Sequence, residues 1–284
     1  MLPIVDPPPR DPYAAPKIDP EVATRWLVAF LRDECIERRG IKNAVIGLSG
    51  GVDSAVTAYL CARALGPQNV HLIRMPYRLS SAASLDDAQL VIDALGAVAH
   101  TIDISAAVDG YLQYEPDADP RRRGNVLART RMLVLFDQSA KFAALPIGTG
   151  NKTERLLGYF TWHADDAPPI NPLGDLFKTQ VWELARYLGV PAPLIEKAPS
   201  ADLEANQTDE GDLGIRYPRA DAILSSMLLG YRDKQLTARG FDAAEVALVR
   251  RRLEGTHWKR HLPTTAMLSD TAINEFYLRP VDFS

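Results

Sequence analysis

The sequence predicts an α/β protein built on one doubly wound parallel sheet within a single domain. Two observations lead to this prediction. From residue 43 to residue 148, short apolar runs typical of buried strands alternate with longer segments in which apolar residues have helical spacing. A glycine-rich turn, LSGGVDSAV at 48–56, follows the first of these runs and leads into the next helical segment. Parallel strands joined by helices form right-handed connections, so we expect helices on both faces of the sheet.

Four apolar runs supply the predicted strands. They are residues 43–48, 70–75, 100–104 and 146–148, the last being the tail of a strand. Helices are predicted between them at 54–65, 84–95 and 125–145. The first two end at Gly66 and Gly96, because glycine readily adopts the positive φ that closes a helix. The segment between the third strand and the long helix is predicted to be irregular.

Further helices are predicted on both sides of this alternating region. Residues 1–20 contain seven prolines, so 1–19 are interpreted as an extended arm in front of a domain that spans 20–284. A helix begins near residue 20, with Asp19 as its cap and Pro20 in its first turn. Its apolar face is predicted to hold Val22, Trp26, Leu27, Phe30 and Leu31. Downstream helices are predicted near 178–188, 209–214, 218–230, 243–254 and 270–276.

The composition narrows the functional class. The chain has 284 residues and a formal net charge of −4, which argues against a protein whose main role is to coat nucleic acid. No stretch approaches the roughly 20 apolar residues that a bilayer requires, so no membrane association is expected. The two cysteines, Cys35 and Cys61, form neither a zinc pattern nor a disulfide framework. We therefore expect a cytoplasmic protein, and Cys61, in the apolar helical stretch YLCARAL, is expected to be a small core residue.

The glycine-rich turn predicts an anion-binding site. Glycines between a strand and a helix leave backbone N–H groups unobstructed beside the helix N-terminus, and phosphate is the usual anion there. The patterns GxxxxGK[ST] and GxGxxG are both absent from this turn. Instead, Ser49 and Ser54 add hydroxyl donors, and Asp53 adds a carboxylate that could hold Mg²⁺ against phosphate.

The motif SGGVDS at 49–54 resembles the pyrophosphate loop of the ATP pyrophosphatases, enzymes that cut ATP between its α and β phosphates. Further blocks narrow the resemblance to the NAD synthetase family. They are GNVLARTRM at 124–132, IGTGNKTERLLGYF at 147–160, INPLGDLFKTQVWELARYLGVP at 170–191, KAPSADLEANQTDEGDLGIRY at 197–217 and THWKRHLP at 256–263. The resemblance runs in order from about residue 20 to about residue 263.

The resemblance implies a fold, a reaction and an assembly. The fold would be a Rossmann-like sheet of the adenine-nucleotide alpha-hydrolase type. The reaction would be the ATP-dependent amidation of deamido-NAD to NAD through an adenylated carboxylate, with AMP and pyrophosphate released. Because nearly all 284 residues are assigned to the synthetase part, no amidase domain is expected and ammonia would be the nitrogen donor. Family members are homodimers, so a homodimer with the dinucleotide near the subunit interface is implied.

The same resemblance implies roles for individual residues. Mg²⁺ would be held by Asp53 and Glu154, and the catalytic residues would be Asp53 and Lys178. Lys178 would balance phosphate charge as the pentacovalent centre forms. Residues expected to bind ATP are Gly47, Ser49, Gly50, Gly51, Asp53, Ser54, Arg74, Thr149, Lys178 and Ser200. Residues expected to bind deamido-NAD are Arg129, Trp162 and Lys259.

The acceptor half of the chain departs from the family pattern. Many members have a lysine after the GYFT block and an acidic residue before the Asn-Pro turn, and both grip the nicotinate. Here the segment reads TWHADDAPPINP, with Trp162 and Pro169 at those positions. Trp162, His163 or Asp165 is expected to recognise the pyridine instead, by stacking and hydrogen bonding.

Two alternatives stay open on these grounds. One is an adenylating amide ligase of the same fold that acts on another carboxylate, which the changes at Trp162 and Pro169 favour. The other is a non-catalytic paralogue that only binds a nucleotide. Retention of Asp53, Glu154 and Lys178 speaks against the paralogue, because a sensor needs no metal-held pyrophosphate.

Overall fold

A computed structural model describes residues 14–200, 207–261 and 265–268. Residues 1–13 of the predicted arm and the predicted helix at 270–276 lie outside the described residues. The end of the arm contacts a later helix. The backbone N–H of Ile18 donates to a carboxylate oxygen of Glu183 at 3.2 Å, and the side chain of Gln180 donates to the carbonyl of Lys17 at 3.1 Å. The boundary between arm and domain stays a prediction.

The part of the chain that the structure describes is built from four strands and twelve α-helices. The strands are β1 Asn43–Gly47, β2 Val70–Arg74, β3 Val98–Thr101 and β4 Ala144–Pro146. The helices are α1 Pro20–Arg32, α2 Val52–Leu65, α3 Ala82–Leu95, α4 Ser105–Leu112, α5 Pro120–Lys141, α6 Lys152–Leu157, α7 Lys178–Leu188, α8 Ala192–Glu196, α9 Asp209–Leu213, α10 Tyr217–Leu228, α11 Asp233–Ala238 and α12 Ala243–Gly255. Asp33–Glu37 continues α1 as a π-helical turn, and 3₁₀ turns cover Pro67–Asn69 and His257–Arg260.

The four strands form one parallel sheet in the order β3–β2–β1–β4. The chain runs outward from β1 through β2 to β3, and then crosses back to pair β4 with the other side of β1. The strand order therefore reverses between β1 and β4, which confirms the prediction of a doubly wound sheet. In such sheets, ligands bind beyond the carboxyl ends of the strands at the reversal.

The core of the molecule is centred on β1 and α2. Ala44, Val45 and Ile46 of β1 are fully buried, as expected for a central parallel strand covered on both faces. Most of α2 is buried as well, because α1, α7 and the sheet surround it. Cys35 and Cys61 lie in the same core, and burial raises the pKa of Cys35 to about 11. The prediction that Cys61 is a core residue is confirmed, and Cys35 is buried beside it.

Several predicted boundaries are wrong, most clearly around the fourth strand. The long helix α5 begins at Pro120 rather than residue 125, because the Asp119 side chain accepts from the N–H of Arg122 at 2.7 Å and caps it there. The helix ends at Lys141 rather than residue 145. Ala143 has a φ of 47°, which interrupts the helix, and the next three residues pair with β1 as β4.

Other differences concern the edge strand and the short helices. The edge strand β3 begins at Val98 rather than residue 100, because its register pairs Val98 with His71 of β2. The helices α4, α6, α8 and α11 occupy segments that were predicted to be irregular or were left unassigned. Each is too short for its apolar spacing to be distinguished from a loop. Among the described residues, no helix has both the length and the apolar character needed to cross a bilayer.

The predicted apolar face of α1 is partly wrong. Trp26 and Phe30 are 52% and 39% exposed, whereas Ala23, Thr24 and Leu31 are the buried residues of this helix. The stripe that contains Trp26 and Phe30 has the largest apolar side chains, but it is not the stripe that packs against α2. Small side chains such as Ala23 and Thr24 let two helices approach closely, and this effect cannot be predicted by counting apolar residues.

Candidate active site

A cavity of about 1280 Å³ opens over the carboxyl ends of β1, β2 and β4. Its walls come from the glycine-rich loop 47–54, from α5 and from the segment 158–168 that follows α6. The cavity lies where the strand order reverses, which is the position expected for the ligand of a doubly wound sheet. The residues that the resemblance assigned to ATP, to Mg²⁺ or to deamido-NAD all line this cavity, and so does Asp165, whereas the exposed His163 does not.

The glycine-rich loop is held closed by its own serines. The hydroxyls of Ser49 and Ser54 lie 3.1 Å apart, and the Ser54 hydroxyl also donates to the carbonyl of Gly51 at 3.0 Å. Gly50 has a φ of +79°, and a Cβ at this position would lie 2.2 Å from the backbone oxygen of Ser84. Only glycine fits here, because the loop passes directly against the start of α3. The result is a compact turn whose N–H groups lie at the N-terminus of α2.

Three predicted residues meet at the floor of the cavity. The ammonium group of Lys178 lies 2.5 Å from a carboxylate oxygen of Asp53 and 3.3 Å from a carboxylate oxygen of Glu154. They come from the first turns of three different helices, α7, α2 and α6. The Lys178 side chain is only 3% exposed. The structure therefore brings together one cation and two carboxylates that are far apart in the sequence, with Lys178 24 positions from Glu154 and 125 positions from Asp53.

Burial and charge set the protonation states of this group. Burial alone would lower the pKa of Lys178, but the charges of Asp53 and Glu154 outweigh it, and the pKa lies above its ordinary value. Burial raises the pKa of Glu154, against the opposing effect of Lys178. The ammonium is held 5.1 Å from the ring centroid of Tyr217, which adds a cation–π contact. Lys178 is thus a fixed positive charge directed at the loop.

Two polar residues of the floor were not found from the sequence. Asn151 is fully buried and donates to Asp53 at 2.9 Å. It also caps α6, because its side chain accepts from the N–H of Glu154 at 3.0 Å while the Glu154 carboxylate accepts from the N–H of Asn151. The spacing Asn-x-x-Glu is a capping-box pattern and could have indicated this residue. Asp209 accepts from Tyr217 at 2.9 Å and Tyr159 at 3.2 Å, and no local pattern indicates that arrangement.

The floor fits the magnesium ion that the resemblance implies. Asp53 and Glu154 supply two carboxylates, and Mg²⁺ is usually bound by one or two carboxylates together with substrate phosphates. The described residues contain no cluster of three or more His, Cys, Asp or Glu side chains that could hold a metal by themselves. A site completed by phosphate oxygens suits this donor set better than a cage made only of protein ligands.

The predicted acceptor residues also lie together, at the other end of the cavity. Arg129 donates to the backbone carbonyl of Trp162 through Nε at 3.3 Å and Nη2 at 3.1 Å. Lys259 donates to the carbonyls of Gly158 at 2.7 Å and of Phe160. Burial lowers the pKa of Lys259. Both cations therefore fix the segment that follows α6, and they present the remaining N–H groups to the cavity.

Aromatic rings form the rim of this acceptor half. The ring centroids of Trp162 and Trp258 lie 5.1 Å apart in an edge-to-face arrangement, and those of Trp162 and His163 lie 3.9 Å apart. His163 has a φ of 58°, an uncommon conformation for a residue other than glycine. Behind them, Oδ1 of Asp166 is buried with no hydrogen-bond partner among the described residues. Pro169 is exposed and does not line the cavity.

Arg74, Thr149 and Ser200, the remaining residues that were expected to bind ATP, also line the cavity. Arg74 ends β2 and donates to Gln89 at 2.8 Å and Thr101 at 3.0 Å. Thr149 follows β4 and is half-buried, and Ser200 is an exposed residue of the opposite wall. These three side chains surround the cavity from separate elements, around the glycine-rich loop.

Comparisons with known proteins agree with one another. The family model described as NAD synthase matches residues 23–263. An NH(3)-dependent NAD(+) synthetase from Trichlorobacter lovleyi is 48% identical over 258 residues, covering 90% of this chain and 94% of that protein. Another from Chlorobaculum parvum is 48% identical over 244 residues, covering 86% of this chain and 88% of that protein.

Solved structures give the same result. The NMN synthetase from Francisella tularensis has a TM-score of 0.78 and 32% identity, and the match covers 88% of this chain and 99% of that one. The NH3-dependent NAD synthetase from Campylobacter jejuni has a TM-score of 0.75 and 31% identity, and the match covers 88% of this chain and 100% of that one. From the family match along most of its length, and from relatives of this similarity, the chain belongs to the NAD synthase family.

Proposed function

We propose that this protein amidates deamido-NAD to NAD, using ATP and ammonia and releasing AMP and pyrophosphate. The observation that carries the proposal is the group of Lys178, Asp53 and Glu154 at the floor of the cavity, directly beside the pyrophosphate-type loop. Membership of the NAD synthase family supports it, and so do curated relatives named NH(3)-dependent NAD(+) synthetases.

In the first step the acceptor is activated. A carboxylate oxygen of the acceptor attacks the α-phosphorus of ATP, an oxygen–phosphorus bond forms, and the bond to the β-phosphate oxygen breaks. The loop residues 47–54 would bind the departing pyrophosphate through backbone N–H groups and serine hydroxyls. Lys178 would stabilise the negative charge that develops on the phosphate oxygens. Asp53 and Glu154 would hold Mg²⁺, which supplies further positive charge to the phosphates when bound.

In the second step the amide forms. The lone pair of ammonia attacks the acyl carbon, the bond from that carbon to the AMP oxygen breaks, and one proton leaves the nitrogen. Around the nucleotide, Arg74, Thr149 and Ser200 would contact ATP from three sides of the cavity. Enclosure of the adenylate within this cavity protects it from hydrolysis by bulk water.

The acceptor would bind between the aromatic rim and the two cations of the acceptor half. Trp162 and Trp258 offer faces on which a pyridine ring can stack. Arg129 and Lys259 lie close enough to that rim to attract the carboxylate and diphosphate of a dinucleotide. Asp166 adds an oxygen with free hydrogen-bonding capacity among the described residues.

A second acceptor is favoured by one specific observation. The lysine and acidic residue that the family pattern places at the nicotinate are replaced by Trp162 and Pro169 in this chain. A solved relative is named as an NMN synthetase. A nicotinate mononucleotide has the same pyridine carboxylate and lacks the adenylate half, so it is the alternative acceptor for the same chemistry.

The deciding experiment is pyrophosphate release from ATP and Mg²⁺ with deamido-NAD or nicotinate mononucleotide, each with and without ammonium. We expect release with deamido-NAD, NAD formed only when ammonium is present, and no release from Asp53→Ala. Asp33→Ala is the matched control, because Asp33 pairs with Arg38 on the surface. Pyrophosphate release with nicotinate mononucleotide but not with deamido-NAD would mean that the mononucleotide is the acceptor. No release with either, from protein that binds ATP, would overturn it.

A homodimer is also proposed, with α5 in the interface. Leu133 and Phe136 are 69% and 42% exposed, and they share a helix face with Arg129, since residues three and four apart lie on one side of a helix. Arg129 lines the acceptor half of the cavity. A second copy of the chain covering this face would remove apolar surface from water beside the acceptor.

A further inference from the structure

A buried carboxylate beneath the floor of the cavity is unexplained by the steps above. Asp221 of α10 is fully buried and is not one of the residues that line the cavity. Its oxygens accept three hydrogen bonds. The Thr153 hydroxyl donates to Oδ1 at 2.6 Å, and the backbone N–H and hydroxyl of Thr179 donate to Oδ2 at 2.9 Å and 2.8 Å. All three donors belong to the first turns of α6 and α7.

The donors are the sequence neighbours of two residues of the floor. Thr153 directly precedes Glu154, and Thr179 directly follows Lys178. The Thr153 hydroxyl also accepts from the backbone N–H of Lys178 at 2.9 Å. A continuous chain of hydrogen bonds therefore connects Thr153, Asp221, Thr179 and the backbone of Lys178, and it ties the start of α6 to the start of α7.

This chain of hydrogen bonds replaces the missing cap of α7. Phe177 stands at the N-cap position, and its side chain has no oxygen that could accept from the helix N–H groups. The N–H of Lys178 is satisfied by Thr153 and the N–H of Thr179 by Asp221, both from other elements. The helix that presents Lys178 is thus capped by groups of α6 and α10, so the orientation of Lys178 depends on them.

A carboxylate in this position is costly for folding. Burial raises the pKa of Asp221 to about 6, against the hydrogen bonds from Thr153 and Thr179 that lower it. An ionised group without water needs several donors to be tolerated. A role in positioning explains why a carboxylate with an unfavourable burial free energy is found at this junction. The distances from Lys178 to Asp53 and to Glu154 are fixed only if the starts of α6 and α7 are held in place.

We propose that Asp221 is a positioning residue for pyrophosphate release, holding Lys178 and Glu154 in place through Thr179 and Thr153 without touching substrate. The expected effect on the rate of pyrophosphate release rests on the proposed function. The expected effect on ATP affinity does not. Misplacement of charged groups by fractions of an ångström lowers rates strongly. Loss of groups that orient metal ligands typically lowers metal affinity or activity by about 10- to 100-fold.

The test compares Asp221→Asn with two threonine variants. Asparagine keeps the shape of Asp221 and offers one accepting oxygen where three donors converge. Thr153→Val removes the hydroxyl that joins Asp221 to Lys178 and keeps the side-chain shape. Thr57→Val is the matched control, because the Thr57 hydroxyl is buried and has no hydrogen-bond partner among the described residues.

Two quantities are measured on folded protein well below its Tm. The first is ATP affinity by calorimetry, with Mg²⁺ and with EDTA. We expect the factor by which Mg²⁺ raises ATP affinity to be about tenfold or more smaller in Asp221→Asn and Thr153→Val, with the affinity in EDTA unchanged. The second is kcat for pyrophosphate release at saturating ATP and Mg²⁺, which we expect to fall by about 10- to 100-fold.

The outcomes separate the two proposals. A residue that only stabilises the fold would lower the Tm and leave both quantities equal to those of Thr57→Val, and that result would overturn the role of Asp221. Absence of pyrophosphate release from the unaltered protein with either acceptor would count against the proposed function alone. The effect of Mg²⁺ on ATP affinity would then still decide whether Asp221 positions Lys178 and Glu154.

Discussion

Gly50 and Lys178 show how single residues set the geometry of the site. Gly50 lies where the glycine-rich loop touches the backbone of α3, with no space for a side chain. Lys178 lies between two carboxylates, almost entirely out of contact with water. In both cases the residue type follows from an immediate physical requirement, one steric and one electrostatic.

Gly50→Ala is expected to weaken ATP binding by about tenfold or more. The added Cβ would lie 2.2 Å from the Ser84 backbone oxygen at a φ of +79°. The left-handed conformation alone costs about 1–2 kcal/mol for a residue with a side chain. Calorimetric titration with ATP and Mg²⁺ measures the loss. Gly110→Ala is the matched control, since its Cβ would meet nothing within 4 Å, and equal ATP affinity for both variants would contradict the prediction.

Lys178→Met is expected to lower kcat for pyrophosphate release by about 10²- to 10³-fold, because a donor that stabilises developing charge is lost. The measurement is the initial rate of release at saturating ATP and acceptor, with circular dichroism confirming that the variant is folded. Lys152→Met is the comparison. Lys152 pairs with Asp175, whose side chain is 92% exposed, and such pairs contribute little. A Lys178→Met rate within about twofold of the unaltered protein would refute a role in charge stabilisation.

At the scale of elements, two groupings of side chains depend on how helices and strands are arranged. One is formed by the first turns of three helices, and the other is a stack of aromatic rings beside the sheet. The first turns of α2, α6 and α7 converge on the cavity floor, so three helix N-termini lie near the place that we propose for the phosphates. Near the other end of the strands, His71 of β2 and His100 of β3 stack on Phe142, with centroids 4.1 Å and 4.7 Å from that ring. Nδ1 of His71 and Nε2 of His100 are buried without partners among the described residues.

This ring stack predicts a loss of stability in acid. Burial, and then the charge of His100, lower the pKa of His71 below its ordinary value of 6.5. Because the folded state binds the proton less readily than the unfolded state, the contribution of His71 to stability is complete above pH 6.5 and is lost as the pH falls below it. When the pH is lowered from about 8 to about 5.5, the Tm of His71→Leu should therefore fall by less than the Tm of the unaltered protein.

The control for this prediction is Leu229→Gln, which changes an exposed side chain without an ionisable group and should keep the unaltered slope of Tm against pH. Thermal unfolding followed by circular dichroism at each pH provides the measurement. An identical slope for His71→Leu and the unaltered protein would show that the stack does not contribute to acid sensitivity.

At the scale of the whole molecule, the cavity that we propose for ATP lies over the carboxyl ends of the strands, and the exposed face of α5 extends from its acceptor half. Arg129 reaches the cavity, and Leu133 and Phe136 continue the same helix face to the outer surface. A second exposed apolar stripe, Trp26 and Phe30, lies on α1. Only the first of these stripes adjoins a residue that lines the cavity, so it is the stripe that we propose for the dimer interface.

Leu133→Asp is expected to convert the proposed dimer to a monomer, because a charge buried in an interface without a partner is strongly unfavourable. Sedimentation velocity measures the mass of the particle. Trp26→Asp on α1 is the control and should leave the mass unchanged. Dissociation by Trp26→Asp but not by Leu133→Asp would instead place the interface on α1, and a monomeric unaltered protein would refute the dimer.

The doubly wound parallel sheet and the glycine-rich loop were predictable from the sequence, whereas the roles of most site residues came from the family resemblance and stay predictions. The run NAVIG and the turn SGGVDS specify a buried strand followed by a phosphate loop, because glycine, serine and aspartate at that junction meet requirements that a few residues can satisfy. The boundaries of α5 and β4 were not predictable, since one strained residue, Ala143, decides between helix and strand. The prediction that Trp26 and Phe30 are buried on α1 was wrong, because burial depends on which face of α1 packs against another helix.

What the sequence by itself determined was the fold class, the phosphate loop and the family, since each depends on neighbouring residues or on motifs in order. Only the tertiary structure showed the contacts of Asn151 with Asp53, of Asp209 with Tyr159 and of Asp221 with Thr153. These partners lie 98, 50 and 68 positions apart along the chain. A buried carboxylate is tolerated only where distant elements bring donors to it, and a linear pattern does not record where those elements meet.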